Sequence, residues 1–470
     1  NHPSFTMMAL GNELDGDWSF INEVLRGLKQ RDSRRLYKSH ADHRRMQPEP
    51  QSEYYITHHT EKDYLRIHSS DRPKELFGTD IDFADLIQGW DIPTVSHELV
   101  SRGMGDQAEE MQQATGKFAW LLYKEDIEAA FRTPDFGGFQ LLQLQDFPGQ
   151  GEALIGLIDA FWDTKNIFSP AKFRQFCSKT VPLLRMNKFV WRQDETFRAE
   201  VQVCHSGPAP LYNSTVHWLI RDDNGQQLAQ GEFNHSEIGF GLTSIGNIEI
   251  SFSSVNNARH FQVIISLEDT NAVNKWDLWV YPRSVQTSPP DNEIVVTDRL
   301  NTRARGVLAR GGNVLVLSPP EQRNKHHQET RFLPVFWSLS WFPNQPGHNS
   351  ILCEPNHPAF ASFPTDFHSN WQWQQIMQPS KAFILDEAPK DYKPLVQVID
   401  DFHRNQKLGA VIETQVGAGR LLATGLNLQE KHSARPAARQ MLHSLLAYMQ
   451  TDAFQPKHEL SGELIQKLLD

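Results

Sequence analysis

The period of the apolar residues changes twice along this chain, and that change restricts the possible folds more than any single motif. Between Phe197 and Pro282 the period is two. "FRAEVQV" alternates strictly, "TVHWLIRDDNGQQLAQGEF" sets an Asp-Asn-Gly turn between two runs, and "HFQVIISLED" follows. This pattern predicts antiparallel strands with one buried face, and a length of about 90 residues suits an immunoglobulin-like β-sandwich over 190–285. Upstream, residues 1–165 read as strands alternating with helices. Strands are expected from Ser4 to Leu10 (ended by Gly11), from Arg34 to Lys38, from Thr94 to His97 and in "FQLLQLQDF", with helices from Ser19 to Lys29 and from Gln107 to Arg132. Such alternation favours a parallel sheet or a barrel. Beyond a hinge at Ser288-Pro289-Pro290, the runs "GGNVLVLS", "KAFILD", "LVQVID", "KLGAVIETQVG" and "GRLLATG" and a helix from Ala437 to Met449 predict an α/β domain over 292–455. Residues 456–470 follow as a capped helix or a tail.

A chain of 470 residues is too long for one hydrophobic core, so about two to four domains are expected. Acidic residues outnumber basic ones by 57 to 46. The resulting net charge of -11 argues against a nucleic-acid or anionic-membrane partner, since either requires a basic face. No run approaches the roughly 18 apolar residues that span a bilayer. The three cysteines, Cys177, Cys204 and Cys353, have neither a disulfide-framework nor a metal-site spacing and read as buried thiols. His40 with His43, and His58 with His59, lack a carboxylate or Cys at ligand spacing and read as loop histidines, so no metal is expected. No cofactor motif is present either. "VGAGRLLATG" lacks the Lys-Ser/Thr of a phosphate loop and reads as a hairpin turn, and "ILCEP" around Cys353 lacks a nucleophile elbow. The paired tryptophans Trp276/Trp279 and Trp371/Trp373 read as core.

The segment "NHPSFTMMALGNELDGDW" places Glu13 just beyond a short apolar strand. In a barrel of alternating strands and helices, that rim is where catalytic side chains gather. "IPTVSHELVSRG" places Glu98 after a second strand in the same way. Two carboxyl groups about 5 to 5.5 Å apart are what retaining glycoside hydrolysis requires, one as acid/base and one as nucleophile.

These residues carry a resemblance. "NHPSFTMMALGNE" resembles the acid/base strand of family 2 glycoside hydrolases, the group of β-galactosidases, β-glucuronidases and β-mannosidases. The resemblance implies that Glu13 is the acid/base, that Asn12 holds the sugar 2-hydroxyl and that Glu98 is the nucleophile, although Leu99 stands where that family usually has an aromatic residue. "GGFQLLQLQDFPGQG" resembles the family's eighth barrel strand, whose polar residues close the sugar pocket; Gln143, Gln145 and Asp146 are candidates there, with Asp146 preferred at the strand end. His97 and Trp18 lie next to the two glutamates in sequence and join the substrate-binding set. Trp90, Tyr54 and Tyr55 are further aromatic candidates. The implied architecture is the C-terminal part of a TIM (β/α)8 barrel, strands four to eight, in residues 1–165, followed by the sandwich and the α/β domain. On this reading the chain is the C-terminal portion of a longer periplasmic or secreted bacterial enzyme.

The implied activity is that of a retaining exo-β-glycosidase, first of all a β-galactosidase, acting on a terminal β-linked sugar of an oligo- or polysaccharide. A β-glucuronidase or β-galacturonidase is the alternative, with Arg44, Arg45, Lys62 and Arg102 as candidate cations for a substrate carboxylate. Two other readings stand beside these: a catalytically incomplete carbohydrate-binding fragment, and an unrelated barrel enzyme that uses Glu13 alone.

Overall fold

The computed structural model describes residues 5–12, 14, 16–41, 51–53, 99–134, 138–139, 141, 144–147, 154–289, 294–332, 334–335, 343, 348–377, 379–401, 404–429 and 435–469. The chain begins with a β-α-β unit. Strand β1 (Met7–Asn12) leads through helix α1 (Trp18–Arg31) to strand β2 (Leu36–Ala41), and the strands pair in parallel with Met7 opposite Leu36 and Asn12 opposite Ala41. The helix begins where Asp17 Oδ1 accepts the Ser19 and Phe20 amides, at 2.9 and 3.3 Å, and Lys29 and Arg31 in its last turn complement the dipole. Gly11 does not end the strand, contrary to the sequence expectation. The extended backbone continues through Asn12. A small residue is needed at 11 because Leu14 folds back over it: a Cβ there would lie 2.7 Å from Leu14 Cδ2.

Among the described residues β1 and β2 form a two-stranded sheet and no closed barrel is formed. Residues 140, 142 and 143 of the strand expected in "FQLLQLQDF" lie outside the described residues; among the described ones Gln145, paired with Ile158, and Phe147 form isolated bridges rather than a strand, and Phe139 and Leu144 are 39% and 46% exposed. The predicted strand at 94–97 lies outside the described residues.

Helix α2 (Ala108–Phe131) is the longest of the described elements and is buried around most of its circumference. Its first half, through Met111 and Ala114, packs with Leu352 and Ile399 of the α/β domain. Its second half, through Phe118 and Leu122, joins the large cluster containing the sandwich core. A helix hydrophobic along opposite sides in this way is a core helix. Gly116 allows its close contact with Ile167, whose Cδ1 would lie 1.8 Å from an added Cβ.

After the single turn α3 (Pro170–Phe173), the sandwich is built from β3 (Thr180–Met186), β4 (Val190–Arg192), β5 (Thr196–His205), β6 (Leu211–Asp222), β7 (Gln227–Ile238), β8 (Gly241–Ser251), β9 (Arg259–Leu267) and β10 (Val273–Tyr281). One sheet has the order β3-β5-β8 and the other β4-β10-β9-β6-β7. The sandwich starts upstream of the expected residue 190, because β3 pairs antiparallel with β5 along its whole length. The Asp-Asn-Gly turn joins β6 and β7; Gly225 has φ +78°, and Asp222 Oδ1 accepts the Asn224 and Gln226 amides. In β9, Phe261, Val263, Ile265 and Leu267 are buried on alternate positions. β10 alternates and then becomes buried on both faces from Leu278 to Tyr281, where the α/β domain covers it.

The α/β domain contains β11 (Ile294–Thr297), α4 (Thr302–Ala309), β12 (Asn313–Leu317), β13 (His327–Thr330), β14 (His348–Cys353), α5 (Gln374–Met377), β15 (Ser380–Ile384), β16 (Val396–Asp400), β17 (Leu408–Val416), β18 (Gly419–Thr424), α6 (Pro436–Met449) and α7 (Gly462–Leu469). β11, β12 and β18 run parallel; β17, β15 and β13 extend the sheet antiparallel, and β16 pairs with both β17 and β14. "VGAGRLLATG" is the β17–β18 hairpin, with Val416 opposite Gly419 and Gly417 at φ +59°. Residues 462–469 are not a loose tail: Leu464, Ile465, Leu468 and Leu469 are buried against α4 and the sheet. The Ser288-Pro289-Pro290 region is tied down on its upstream side, where Arg439 donates to Pro282 O and His443 Nδ1 meets Gln286 O, at 2.8 and 2.9 Å. Trp276, Trp279, Trp371 and Trp373 are all buried, and Trp371 stacks on Phe189 at 4.6 Å. The three thiols are free; only Cys353 is fully buried, and Cys177 and Cys204 are half-buried. No described helix is long and apolar enough to cross a membrane.

Candidate active site

Two parallel strands joined by a helix bring their C-terminal ends to one edge. In this β-α-β unit that edge carries Asn12 and Ala41, in register, with Gly11 beside His40. Glu13 follows Asn12 directly in the β1–α1 connection. Glu13, His97 and Glu98 lie outside the described residues, as does the side chain of Asn12. Gln143, Tyr54, Tyr55, Trp90, Arg44, Arg45, Lys62, His43, His58 and His59 also lie outside them.

The frame behind the edge is described. The outer side of β2 is closed by residues 52–53: the Glu53 amide donates to Tyr37 O at 2.9 Å, and Glu53 Oε2 accepts the Tyr37 amide at 2.8 Å. The Ser39 amide donates to Ser52 Oγ at 3.3 Å, and Lys29 Nζ lies 3.5 Å from Glu53 Oε1. These contacts satisfy an edge that would otherwise expose unpaired backbone groups. Lys38 and Ser39 in β2 are fully buried. Sequence reasoning passes over Glu53, Lys38 and Ser39; the polar run in "YKSHAD" is the signal that could have found Lys38 and Ser39, and no local signal marks Glu53.

Trp18 is the first residue of α1 and is half-buried. Asp146 is 5% exposed. Its Oδ1 accepts the Gly156 amide at 2.8 Å and the Lys165 ammonium at 2.6 Å. Burial pushes the Asp146 pKa upward, against the lowering by Lys165. This carboxylate ties 145–146 to the segment 156–165, with Gly156 so close that a Cβ would fall 2.2 Å from the Asp146 amide nitrogen. Arg102, a candidate for binding a uronic acid, forms an ion pair with Asp386 of the α/β domain. Among the described residues no group of three or more His, Cys, Asp and Glu side chains is arranged to hold a metal.

Among the described residues a dense charged cluster lies elsewhere, on α2. Glu128, fully buried, accepts from Lys124, from Arg132 Nη1 at 3.3 Å, from Asn274 Nδ2 at 2.7 Å and from Trp276 Nε1 at 2.8 Å. Arg132 also reaches Glu125 at 2.9 Å and Leu184 O at 3.4 Å. Its four-residue spacings are legible in the sequence, but its partners on β10 are not. With every Glu128 oxygen committed to donors from two domains, the cluster is a joint between α2 and the sandwich.

Residues 295–470 match DUF8487 and residues 195–282 match DUF8488, each described as a domain of unknown function. No curated protein matches the chain. Among solved structures, the chain is similar to the CARDB domain of the PF1109 protein of Pyrococcus furiosus, at 13% identity over 22% of this chain and 86% of that one, with a TM-score of 0.17. It is similar to a β-glucuronidase from glycoside hydrolase family 2, at 14% identity over 26% of this chain and 13% of that one, with a TM-score of 0.17. It is also similar to the FMN-binding β-glucuronidase of Facaelibacterium prausnitzii, at 12% identity over 60% of this chain and 42% of that one, with a TM-score of 0.25. The chain thus spans less than half the length of either β-glucuronidase, and at these TM-scores the likenesses decide neither fold nor activity.

Proposed function

We propose that this chain carries the catalytic carboxylates of a retaining exo-β-glycosidase of the family 2 type, acting on terminal β-galactosides, and that β1, α1 and β2 are one wedge of its barrel. The observation that supports the reading is the end of β1: the strand stops at Asn12, on the C-terminal edge it shares with the parallel strand β2, and Glu13 is the next residue in sequence. Glu13 donates a proton to the leaving oxygen while Glu98 attacks the anomeric carbon; Glu13 then takes a proton from the water that releases the sugar. Asn12, Trp18, His97 and Asp146 complete the proposed sugar pocket, with Asp146 acting through the 145–165 segment it braces. The enzyme is placed in the periplasm or outside the cell on the resemblance alone. Hydrolysis of glucuronides or galacturonides is the competing specificity, and the engagement of Arg102 by Asp386 weighs against it at that position.

The test uses the longest natural form of the protein and a panel of 4-nitrophenyl β-galactoside, β-glucuronide and β-galacturonide. Glu13→Gln and Glu98→Gln are each expected to lower kcat on the order of 10³-fold or more. Azide is expected to rescue Glu98→Ala with an inverted glycosyl azide and Glu13→Ala with a retained one, which assigns the two roles. Wild-type turnover in either glutamine variant refutes the assignment. Sugar binding without turnover by the unaltered protein would make it a binding fragment instead.

A further inference from the structure

The β6–β7 turn and the β8–β9 connection meet at one end of the sandwich and enclose a cavity of about 330 Å³, at the small end of the roughly 300 to 1,000 Å³ found for small-ligand sites. Its base is apolar. Phe261 and Val255, 2% and 5% exposed, belong to the sandwich core, and Leu228 packs against the same core. Its walls are polar and open to solvent: Gln226, Gln227, Asn256, Asn257 and Ser254 are exposed, and Arg259 at the start of β9 is half-buried. An apolar base ringed by amides and one guanidinium suits a small molecule that has both a hydrocarbon face and several hydroxyls.

The walls are braced from behind. Arg259 Nη1 donates to Asp222 Oδ2 at 2.7 Å and to Gln226 Oε1 at 3.0 Å, and Asp222, 7% exposed, also holds the turn through the Asn224 and Gln226 amides. Gln193 Nε2 donates to Asn256 Oδ1 at 3.1 Å and to Ser253 O at 3.3 Å. The carbonyl oxygens of Gln226 and Asn256 are thereby engaged, which leaves their NH2 groups as donors. These groups, Nε and Nη2 of Arg259, and the side chains of Gln227, Asn257 and Ser254 have no partner among the described residues. Arg259 is answered by Asp222, and the neighbouring His260 by Asp223 at 2.6 Å and Asp277 at 3.1 Å. Among the described residues around the cavity, no cation is therefore left in excess to hold a phosphate or a carboxylate.

The geometry points to a carbohydrate site in the sandwich: this cavity takes one neutral pyranose residue of a glycan, with its C–H face over Phe261, Val255 and Leu228 and its hydroxyls on Arg259, Gln226 and Asn256. A pyranose satisfies both parts of the cavity at once. An apolar group would leave the amides and the guanidinium unpaired, and an anion would meet a guanidinium whose charge Asp222 already balances. Binding here is independent of the chemistry proposed for Glu13 and Glu98.

Saturation-transfer NMR on the full chain tests it, with the methyl β-pyranosides of galactose, glucose and mannose as neutral probes and methyl β-glucuronide as the charged one. At least one neutral glycoside is expected to bind with a dissociation constant on the order of 1 to 10 mM. The bound sugar should slow amide hydrogen exchange across 223–228 and 253–259, which locates it. Gln227→Ala combined with Asn257→Ala removes two wall amides, and Ser254→Trp fills the cavity. All three positions are exposed, so thermal midpoints should stay within about 2 °C of wild type. Each variant should weaken the binding that gives this local protection by about fivefold or more. No binding of any neutral glycoside to the wild type at about 50 mM, protection confined to other segments, or local protection unchanged in both folded variants overturns the site. Cavity-dependent binding of the glucuronide alone overturns the assignment to a neutral sugar.

Discussion

Replacing Glu128 by glutamine removes one negative charge from the centre of the α2–sandwich joint while keeping the shape of the side chain. In the native protein its two oxygens serve four donors from Lys124, Arg132, Asn274 and Trp276. Arg132 keeps Glu125, and Asn274 keeps Pro182 O at 2.9 Å, so those two are only partly stranded. Lys124 loses the carboxylate it is paired with, and the new amide group points N–H donors at the Trp276 or Arg132 donors. Breaking one partner of a buried ion pair costs about 3 to 5 kcal/mol, and an orphaned buried donor about 1 to 3 kcal/mol. Part of the loss is recovered, since burial already lowers the Lys124 pKa and the ammonium sheds its proton more readily once Glu128 is neutral. A net loss of about 4 kcal/mol is expected. Trp276 is the natural reporter, with the Lys124 ammonium 4.6 Å from its ring centroid. With a urea m-value of about 2 kcal/mol/M for the sandwich transition, the midpoint should fall by about 2 M. A midpoint shift below about 0.3 M would refute the claim that this cluster holds α2 to the sandwich.

His260 is expected to make the sandwich pH-sensitive. Its Nδ1–H donates to Asp223 at 2.6 Å and its Nε2–H to Asp277 at 3.1 Å; burial alone would lower its pKa, but the two carboxylates raise it to about 10. A folded pKa above the unfolded value of 6.5 means that this stabilisation is complete below about pH 6.5 and is lost as pH rises toward 10. Denaturation midpoints measured at about pH 7, 8.5 and 10 should fall for the wild type and much less for His260→Gln; parallel slopes would disprove the clamp. Leu468→Ala, at a fully buried position on α7, should destabilise the α/β domain by about 2 to 5 kcal/mol. A calorimetric profile indistinguishable from wild type would return residues 462–469 to the status of a tail.

Much of the fold is legible in the sequence because it is written in local period. β5 and β9 bury one face and leave the other open, so alternation locates them, and the Asp-Asn-Gly turn joins β6 to β7 in the expected place. α2 and α6 likewise begin and end within one residue of the predicted spans. The failures share a cause. The "FQLLQLQDF" run is apolar enough for a strand, yet its described residues form isolated bridges, with Leu144 O and the Asp146 amide bonded to Ile158 and the Asp146 carboxylate to Gly156 and Lys165. β10 becomes buried on both faces at Tyr281, which alternation in one strand does not report, because the second cover comes from Phe363 and Gln372 in another domain.

At the candidate site the same division holds. That the chain stops a short strand at Asn12, one residue before Glu13, is a local property, carried by an apolar run, a glycine under Leu14 and an Asp17 cap only a few residues on. That Leu99 is locked against Leu352 and Ile399, or that Gly103 rests on the Lys390 carbonyl, depends on partners more than 250 positions away. Side-chain periodicity encodes which face of an element avoids water, and short-range turn chemistry encodes where the element stops. Which distant surface supplies the cover is left to the packing of whole domains, since many apolar faces are interchangeable in sequence and only shape and buried charge select among them.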